Sequence, residues 1–174
     1  MFRRPSLPLK EVSIFTDGAC RGNPGPGGYG VVLVAGFHRR ELSGGFERTT
    51  NNRMELLAAI AGLEELKQPC RVTLTSDSEY LVNAMTKGWL PKWKGLGWMR
   101  NPGKRLRNED LWKRLDTAAA RHEVQWKWVR GHTGHDENER CDLLAVQAAE
   151  KPGREVDGGY LRQESLDAGE AELF

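Results

Sequence analysis

Asp17 falls at the end of a β-branched and aromatic run, Asp77 at the end of another, Glu55 in the first turn of an apolar helical stretch, and Asp142 near the start of the last helical stretch. Each has an ordinary explanation on its own. An Asp closing a strand is usually a turn residue, Glu55 could form a capping box with Asn52, and Asp142 could simply be solvated. Together they suggest more. If the first and fourth strands are neighbours, their ends bring Asp17 and Asp77 to one sheet edge, and clustered carboxylates raise one another's pKa unless a cation holds them. An all-oxygen set favours Mg²⁺ or Mn²⁺ over zinc. Such a site can hold two ions about 4 Å apart, one activating a water and the other stabilising the leaving oxygen of a phosphodiester.

The elements that must position these acids can be read from periodicity. Residues 12–16 form a short strand ending at Asp17, and the glycine- and proline-rich stretch 18–28 reads as a turn that no regular element accommodates. Strand character resumes over 29–34, and a third strand, about 39–46, pairs with it as a hairpin through Gly36. Residues 52–66 are helical, with Met54, Leu57, Ala58 and Ala61 on one stripe and Leu56, Ile60 and Leu63 widening it. Residues 71–76 are a fourth strand and 79–85 a helix stopped by Gly88. The span 89–107 is irregular and basic; Asn108 then caps a helix to about residue 122, with Leu111, Leu115 and Ala119 inward. Val124, Trp126 and Trp128 alternate with polar residues in a fifth strand, and a Gly-His-Thr-Gly-His loop leads to a last helix over about 137–150. The expected fold is α/β, a single domain with a five-stranded mixed sheet flanked by helices.

Composition bounds the reading. A chain of 174 residues with 39% hydrophobic content and six Trp suits one packed core. No apolar run is long enough to span a bilayer, and Arg3-Arg4 is followed by a mixed segment unlike a signal-peptide core, so a soluble, cytoplasmic protein is expected. Cys20, Cys70 and Cys141 are odd in number and widely spaced, which fits small buried fillers in a reducing compartment. The signs of charge are segregated: residues 151–174 carry three basic and six acidic groups, leaving 23 basic against 18 acidic before them. A basic body points to a polyanionic partner. Periodicity stops after Pro152-Gly153, so 151–174 is expected to be a loose acidic tail removable without loss of fold, and 1–10 a short extension.

Six segments then carry a resemblance. Ile14-Phe-Thr-Asp-Gly-Ala-Cys, Gly22-Asn-Pro-Gly-Pro-Gly-Gly-Tyr-Gly, Thr49-Thr-Asn-Asn-Arg-Met-Glu-Leu, Thr75-Ser-Asp-Ser, Gly131-His-Thr-Gly-His and Asn138-Glu-Arg-Cys-Asp resemble, in order, the motif series of bacterial type 1 ribonuclease H. They span nearly everything from Glu11 to Glu150, and 11–150 is accordingly the expected catalytic domain. The resemblance implies a ribonuclease H-like fold and hydrolysis of the RNA strand of RNA–DNA hybrids, leaving 3′-hydroxyl and 5′-phosphate ends. It implies Asp17, Glu55, Asp77 and Asp142 as ligands of two Mg²⁺ ions, with Asp17 bridging and Mn²⁺ a possible substitute. His132 matches the histidine thought to assist proton transfer or product release; apart from the family it would be an ordinary surface His.

Contacts to a duplex are expected from 89–107. No acid lies between Tyr80 and Asn108, whereas Lys87, Lys92, Lys94, Arg100, Lys104, Arg105 and Arg107 all do, with Trp89, Trp93 and Trp98 interleaved. A solvated basic loop is the plain alternative, but the absence of compensating acids argues for phosphate contacts, and the segment resembles the family's basic protrusion. Trp112, Trp126 and Trp128 are assigned to packing, and Trp93 and Trp98 to the protrusion itself. By resemblance, Trp89 contacts the DNA strand, Asn23, Asn51 and Asn52 lie along the RNA strand, and Arg48, Thr50 and Asn108 form a pocket for a DNA phosphate. Asn51 and Asn52 could also be helix caps. Glu79 departs from the family, where an amide is common; a carboxylate accepts from a 2′-hydroxyl but cannot donate to one.

Competing readings are weaker. The glycine-rich loop is followed by no Gly-Lys-Ser/Thr, and Pro24 and Pro26 remove amides that a phosphate cradle needs. His132 and His135 with Cys141 fall short of a four-ligand zinc site. A DNA-cutting or strand-transfer enzyme of the same fold would cut DNA duplex instead of hybrid, and a non-catalytic hybrid-binding module would bind without metal or turnover. With all four matched acids present, the sequence favours the enzyme, acting as a monomer without an obligate protein partner.

Overall fold

Five strands and their flanking helices are laid out so that the acids converge. The computed structural model describes residues 7–173; residues 1–6 of the expected extension lie outside them. Strands β1 (Lys10–Cys20), β2 (Gly25–Ala35) and β3 (His38–Thr49) form an antiparallel meander, followed by helix α1 (Asn51–Glu65). Strand β4 (Cys70–Ser76) runs parallel to β1, helices α2 (Glu79–Thr86) and α3 (Trp89–Gly95) follow, and β5 (Met99–Asn101) with β6 (Lys104–Arg105) makes a small hairpin. After α4 (Glu109–Ala120), strand β7 (Glu123–Trp128) adds parallel to β4, and α5 (Asp136–Glu150) and α6 (Gly158–Ala171) complete the chain. The main sheet has the order β3-β2-β1-β4-β7, a mixed five-stranded sheet as expected.

The core lies between this sheet and α1 and α4, where Ile14, Val31, Leu56, Ile60, Val72, Leu74, Trp112 and Leu115 are fully buried. On the opposite side α5 sits directly on β1 and β2. This contact corrects the expected turn over 18–28, which is strand at both ends, with only residues 21–24 between β1 and β2. Glycine is required there because a Cβ on Gly28 or Gly30 would run into backbone atoms of α5 at Ala145 and Cys141. The glycines permit close packing; they do not interrupt the strand.

Four local expectations are also corrected. The span 89–107 holds α3 and the β5–β6 hairpin, since Leu90 and Trp93 are buried and the Trp93 ring packs tilted against Trp112, centroids 5.1 Å apart. Thr50, not Asn52, caps α1, its Oγ1 accepting from the Arg53 amide at 3.3 Å. Asn108 precedes α4 in a left-handed conformation (φ 59°), with its side chain turned to Tyr80 and Arg53 and no side-chain cap. Ala118 takes the buried position of α4, while Ala119 is half-buried.

The largest correction concerns the acidic tail, where residues 158–171 are helix α6. Asp157 caps it, accepting from the Tyr160 amide at 3.1 Å, and is itself buried against Thr49 and Arg53. Backbone hydrogen bonds of 2.9 Å also join Glu155 to Gly45 and Glu47 of β3. Tertiary anchoring orders a segment whose own periodicity is too weak to announce a helix.

Candidate active site

Register places the first two acids. β1 and β4 pair in parallel up to Thr16 and Ser76, so Asp17 and Asp77 emerge next to each other where β4 ends. Contrary to expectation Asp17 does not end its strand; β1 continues to Cys20 because β2 still pairs with its other edge. Glu55 arrives from α1. A Cβ on Gly18 would lie 2.6 Å from the Glu55 nitrogen and 2.8 Å from the Met54 carbonyl carbon, so only glycine lets the first turns of α1 rest on β1 beside Asp17. Carboxylate oxygens of Asp17, Glu55 and Asp77 lie within 4.8 Å of one another.

Asp142, in the second turn of α5, stands outside that tight group but lines the same open cleft of about 380 Å³, together with Asn51, Asn52, Glu79 and His132. Its charge reaches both Asp17 and Asp77. His132 is exposed in the loop before α5, with φ at 57°, close enough to influence Asp77. The loop crosses Asp77 tightly, since a Cβ on Gly131 would lie 2.6 Å from Asp77 Oδ2.

The electrostatics are those of uncompensated negative charge. Burial, then Asp77 and Asp142, push the Asp17 carboxyl up to about 7. Glu55 is driven well above the carboxylate range by burial and by the charges of Asp17 and Asp77. Asp77 is raised by burial, partly offset by hydrogen bonding and by His132. Glu55 Oε2 is buried with no hydrogen-bond partner among the described residues. A buried acceptor left without a donor, within an all-oxygen set, fits a hard divalent cation.

A second cleft, of about 480 Å³, opens between the body and the α3–hairpin unit. It gathers Asn52, Trp89, Lys92, Arg100, Arg105, Arg107 and Asn108 of the expected contacts, with Tyr80 and Trp93 in its wall. Trp89, Trp93, Trp112 and Tyr80 form a tilted aromatic column with successive centroids 6.3, 5.1 and 5.2 Å apart. Lys104 lines the adjoining groove, and Asn23 Oδ1 accepts from the Asn51 amide at 3.1 Å. Lys94 is not in the cleft lining; it pairs with Asp116 of α4 at 2.9 Å. Arg48 pairs with Glu164 of α6, and Thr50 serves as the α1 cap. Glu79 is exposed in the first turn of α2, where a negative charge suits the helix N-terminus.

Two groups were not legible as part of this region. Trp128, expected in packing, is 45% exposed and donates its indole N–H to the Asp77 carbonyl at 3.0 Å, tying β7 to the site. Arg53 is buried among Asp157, Asp110 and Asn108. The signal for it was present, a cation in an otherwise apolar stretch of helix, and it needed a partner from a segment taken for a tail.

A mixed sheet that gathers acids where the pairing of its inner strands β1 and β4 ends, with a cationic groove beside them, defines a nuclease of the ribonuclease H-like fold. A family model described as RNase H matches residues 9–150, and the chain belongs to that family. It is 60% identical over 153 residues to a ribonuclease H of Syntrophus aciditrophicus, covering 88% of each chain. Among solved structures it is similar to LC9-RNase H1, a type 1 RNase H with the type 2 active-site motif, at 36% identity and a TM-score of 0.75, over 91% of this chain and 82% of that one. LC11-RNase H1, solved in complex with an RNA/DNA hybrid, is similar at 26% identity and a TM-score of 0.61, over 79% of this chain and 96% of that one. The resemblance to bacterial type 1 members holds, and the chain is a nuclease and a hydrolase. Among the described residues no helix is long and apolar enough to cross a membrane.

Proposed function

We propose that the chain is an endonuclease that hydrolyses the RNA strand of RNA–DNA hybrids, leaving 3′-hydroxyl and 5′-phosphate ends. The observation that carries this is the convergence of Asp17, Glu55 and Asp77 within 4.8 Å, with a Glu55 oxygen left unpartnered. Asp17, Glu55 and Asp77 would hold the metal, and Asp142, which lines the same cleft, would complete the set. Two Mg²⁺ ions, or Mn²⁺ in their place, supply Lewis-acid activation of water and charge neutralisation at the leaving oxygen when bound. His132, exposed beside Asp77, moves a proton at the leaving group or assists product release.

The clefts divide the duplex between them. Asn23, Asn51 and Asn52 offer amides that both donate to and accept from a 2′-hydroxyl, which is what distinguishes the RNA strand. Trp89 meets the DNA strand, and Arg48, Thr50 and Asn108 surround one of its phosphates. The protrusion, residues 89–107, grips the backbone through Lys92, Arg100, Lys104, Arg105 and Arg107. The similarity to LC11-RNase H1, bound to a hybrid, supports this substrate. We place residues 11–150 as the catalytic domain, and the enzyme as a cytoplasmic monomer.

The test is cleavage of end-labelled hybrid beside matched RNA and DNA duplexes, in Mg²⁺ and in chelator. Cutting confined to the RNA of the hybrid and abolished by chelator is expected. Robust cutting of the DNA duplex with intact hybrid would overturn the reading.

A further inference from the structure

We propose that helix α6 is an intramolecular competitor for the duplex, seating acidic side chains on guanidinium groups that the hybrid's phosphates need. The inference rests on the reading of Arg48, Arg105 and Arg107 as hybrid contacts. Each of these arginines is held by a carboxylate of α6. Asp167 accepts from Arg105 at 2.6 Å through one oxygen and from Arg107 at 3.0 and 3.2 Å through the other. Glu170 adds a second acid beside Arg105 at 3.4 Å. Glu164 accepts two bonds from Arg48, at 2.9 and 3.1 Å. Gln163 accepts from the Asn108 amide at 2.7 Å, so a fourth expected contact also faces α6.

A carboxylate and a phosphate present the same pair of anionic oxygens to a guanidinium fork. The arginines therefore exchange one partner for the other. The helix is built unevenly for such an exchange. Its root is fixed by buried Asp157, bound to Arg53 and Thr49, and by buried Tyr160. Beyond Tyr160 no described side chain of α6 is buried, and Leu161 and Leu166 are exposed. Gly169 weakens the distal helix further. The distal half is therefore attached by polar contacts that are solvent-accessible, individually weak and screened by salt. A duplex brings a dense row of phosphates against that attachment, and α6 can swing away on its anchored root without disturbing the core.

The consequence is a penalty on substrate binding, felt in KM and not in the chemical step. Steady-state kinetics on an RNA–DNA hybrid in Mg²⁺, across a salt series, read it directly in the full chain. Three double variants are needed: Glu164→Gln with Asp167→Asn to release the arginines, Glu155→Gln with Glu172→Gln as a control of equal charge change, and Arg105→Ala with Arg107→Ala. The first is expected to lower KM about tenfold at low salt, with kcat unchanged and a steeper salt dependence, because more cations become free to release counterions from the duplex. The control is expected to move KM by less than about twofold, as screening predicts for remote charges. If the arginine variant raises KM but the first lowers it no more than the control, the competitor is overturned while the hybrid contacts stand. If the arginine variant leaves KM unchanged, the reading of those arginines fails, and the inference with it.

Discussion

Arg53 and Glu55 lie two residues apart at the start of α1, 1% and 4% exposed, and belong to opposite electrostatic designs. The Arg53 guanidinium donates to both oxygens of Asp157, both of Asp110 and the side-chain Oδ1 of Asn108, while Thr49 donates to Asp157. Glu55 has two acids beside it, no compensating cation, and an oxygen with no partner among the described residues. Burying charge is costly unless it is paired and hydrogen-bonded. The first cluster satisfies that condition with the chain's own residues and serves structure. The second leaves it unmet, which marks the place where the fold is completed by something it binds.

Mutations should therefore act on different quantities in the two clusters. Asp17→Asn is expected to reduce kcat on the order of 10⁴-fold, about 5.5 kcal/mol, while leaving the metal-free protein as stable as before or more so, because it removes repulsion. A variant that loses stability in proportion to activity would merge the two clusters into one structural unit. Arg53→Met should do the converse. Leaving Asp157 and Asp110 without their cation is expected to cost about 3–5 kcal/mol in chemical denaturation, with kcat per folded molecule retained below the melting range.

Their pH dependences have opposite signs. Asp17 is displaced upward from 3.8 to about 7, so between those values the folded protein holds a proton that the unfolded chain has released. Metal-free stability should fall as pH rises through that window, by roughly 4 kcal/mol for Asp17 alone, and level off above it. Saturating Mg²⁺ should flatten the curve. Asp110, raised by burial but held lower overall by Arg53, contributes stability that is instead lost as pH falls below its ordinary 3.8. Denaturant titrations at stepped pH, with chelator and with Mg²⁺, separate the two.

The sheet and most helices were legible because the period-two patterns of β1 and β4 and the apolar run of α1 match what is buried, while β7 alternates only between half-buried and exposed residues; the acids were legible because Asp77 follows a strand, Glu55 and Asp142 lie early in helices, and Asp17 closes the apolar run of β1 although the strand itself continues. What was missed depends on contacts between distant segments. Gly28 and Gly30 read as turn residues until α5 is seen lying on them. Helix α6 has little apolar periodicity and exists through Asp157, Tyr160 and a row of ion pairs. Trp128 alternates like a packed strand residue, yet its strand is at the sheet edge and the ring meets the site. Arg53 required a partner 104 residues away.

Asp17 carries a charge that the fold leaves uncompensated, for a divalent cation to meet. Carbon-13 NMR titration of the Asp17 and Glu55 carboxylates, without metal and with saturating Mg²⁺, addresses it most directly. Without metal, Asp17 should titrate at about 7 and Glu55 well above its ordinary 4.5, both falling sharply once Mg²⁺ is added. Ordinary carboxylate values, unmoved by Mg²⁺, would contradict the account.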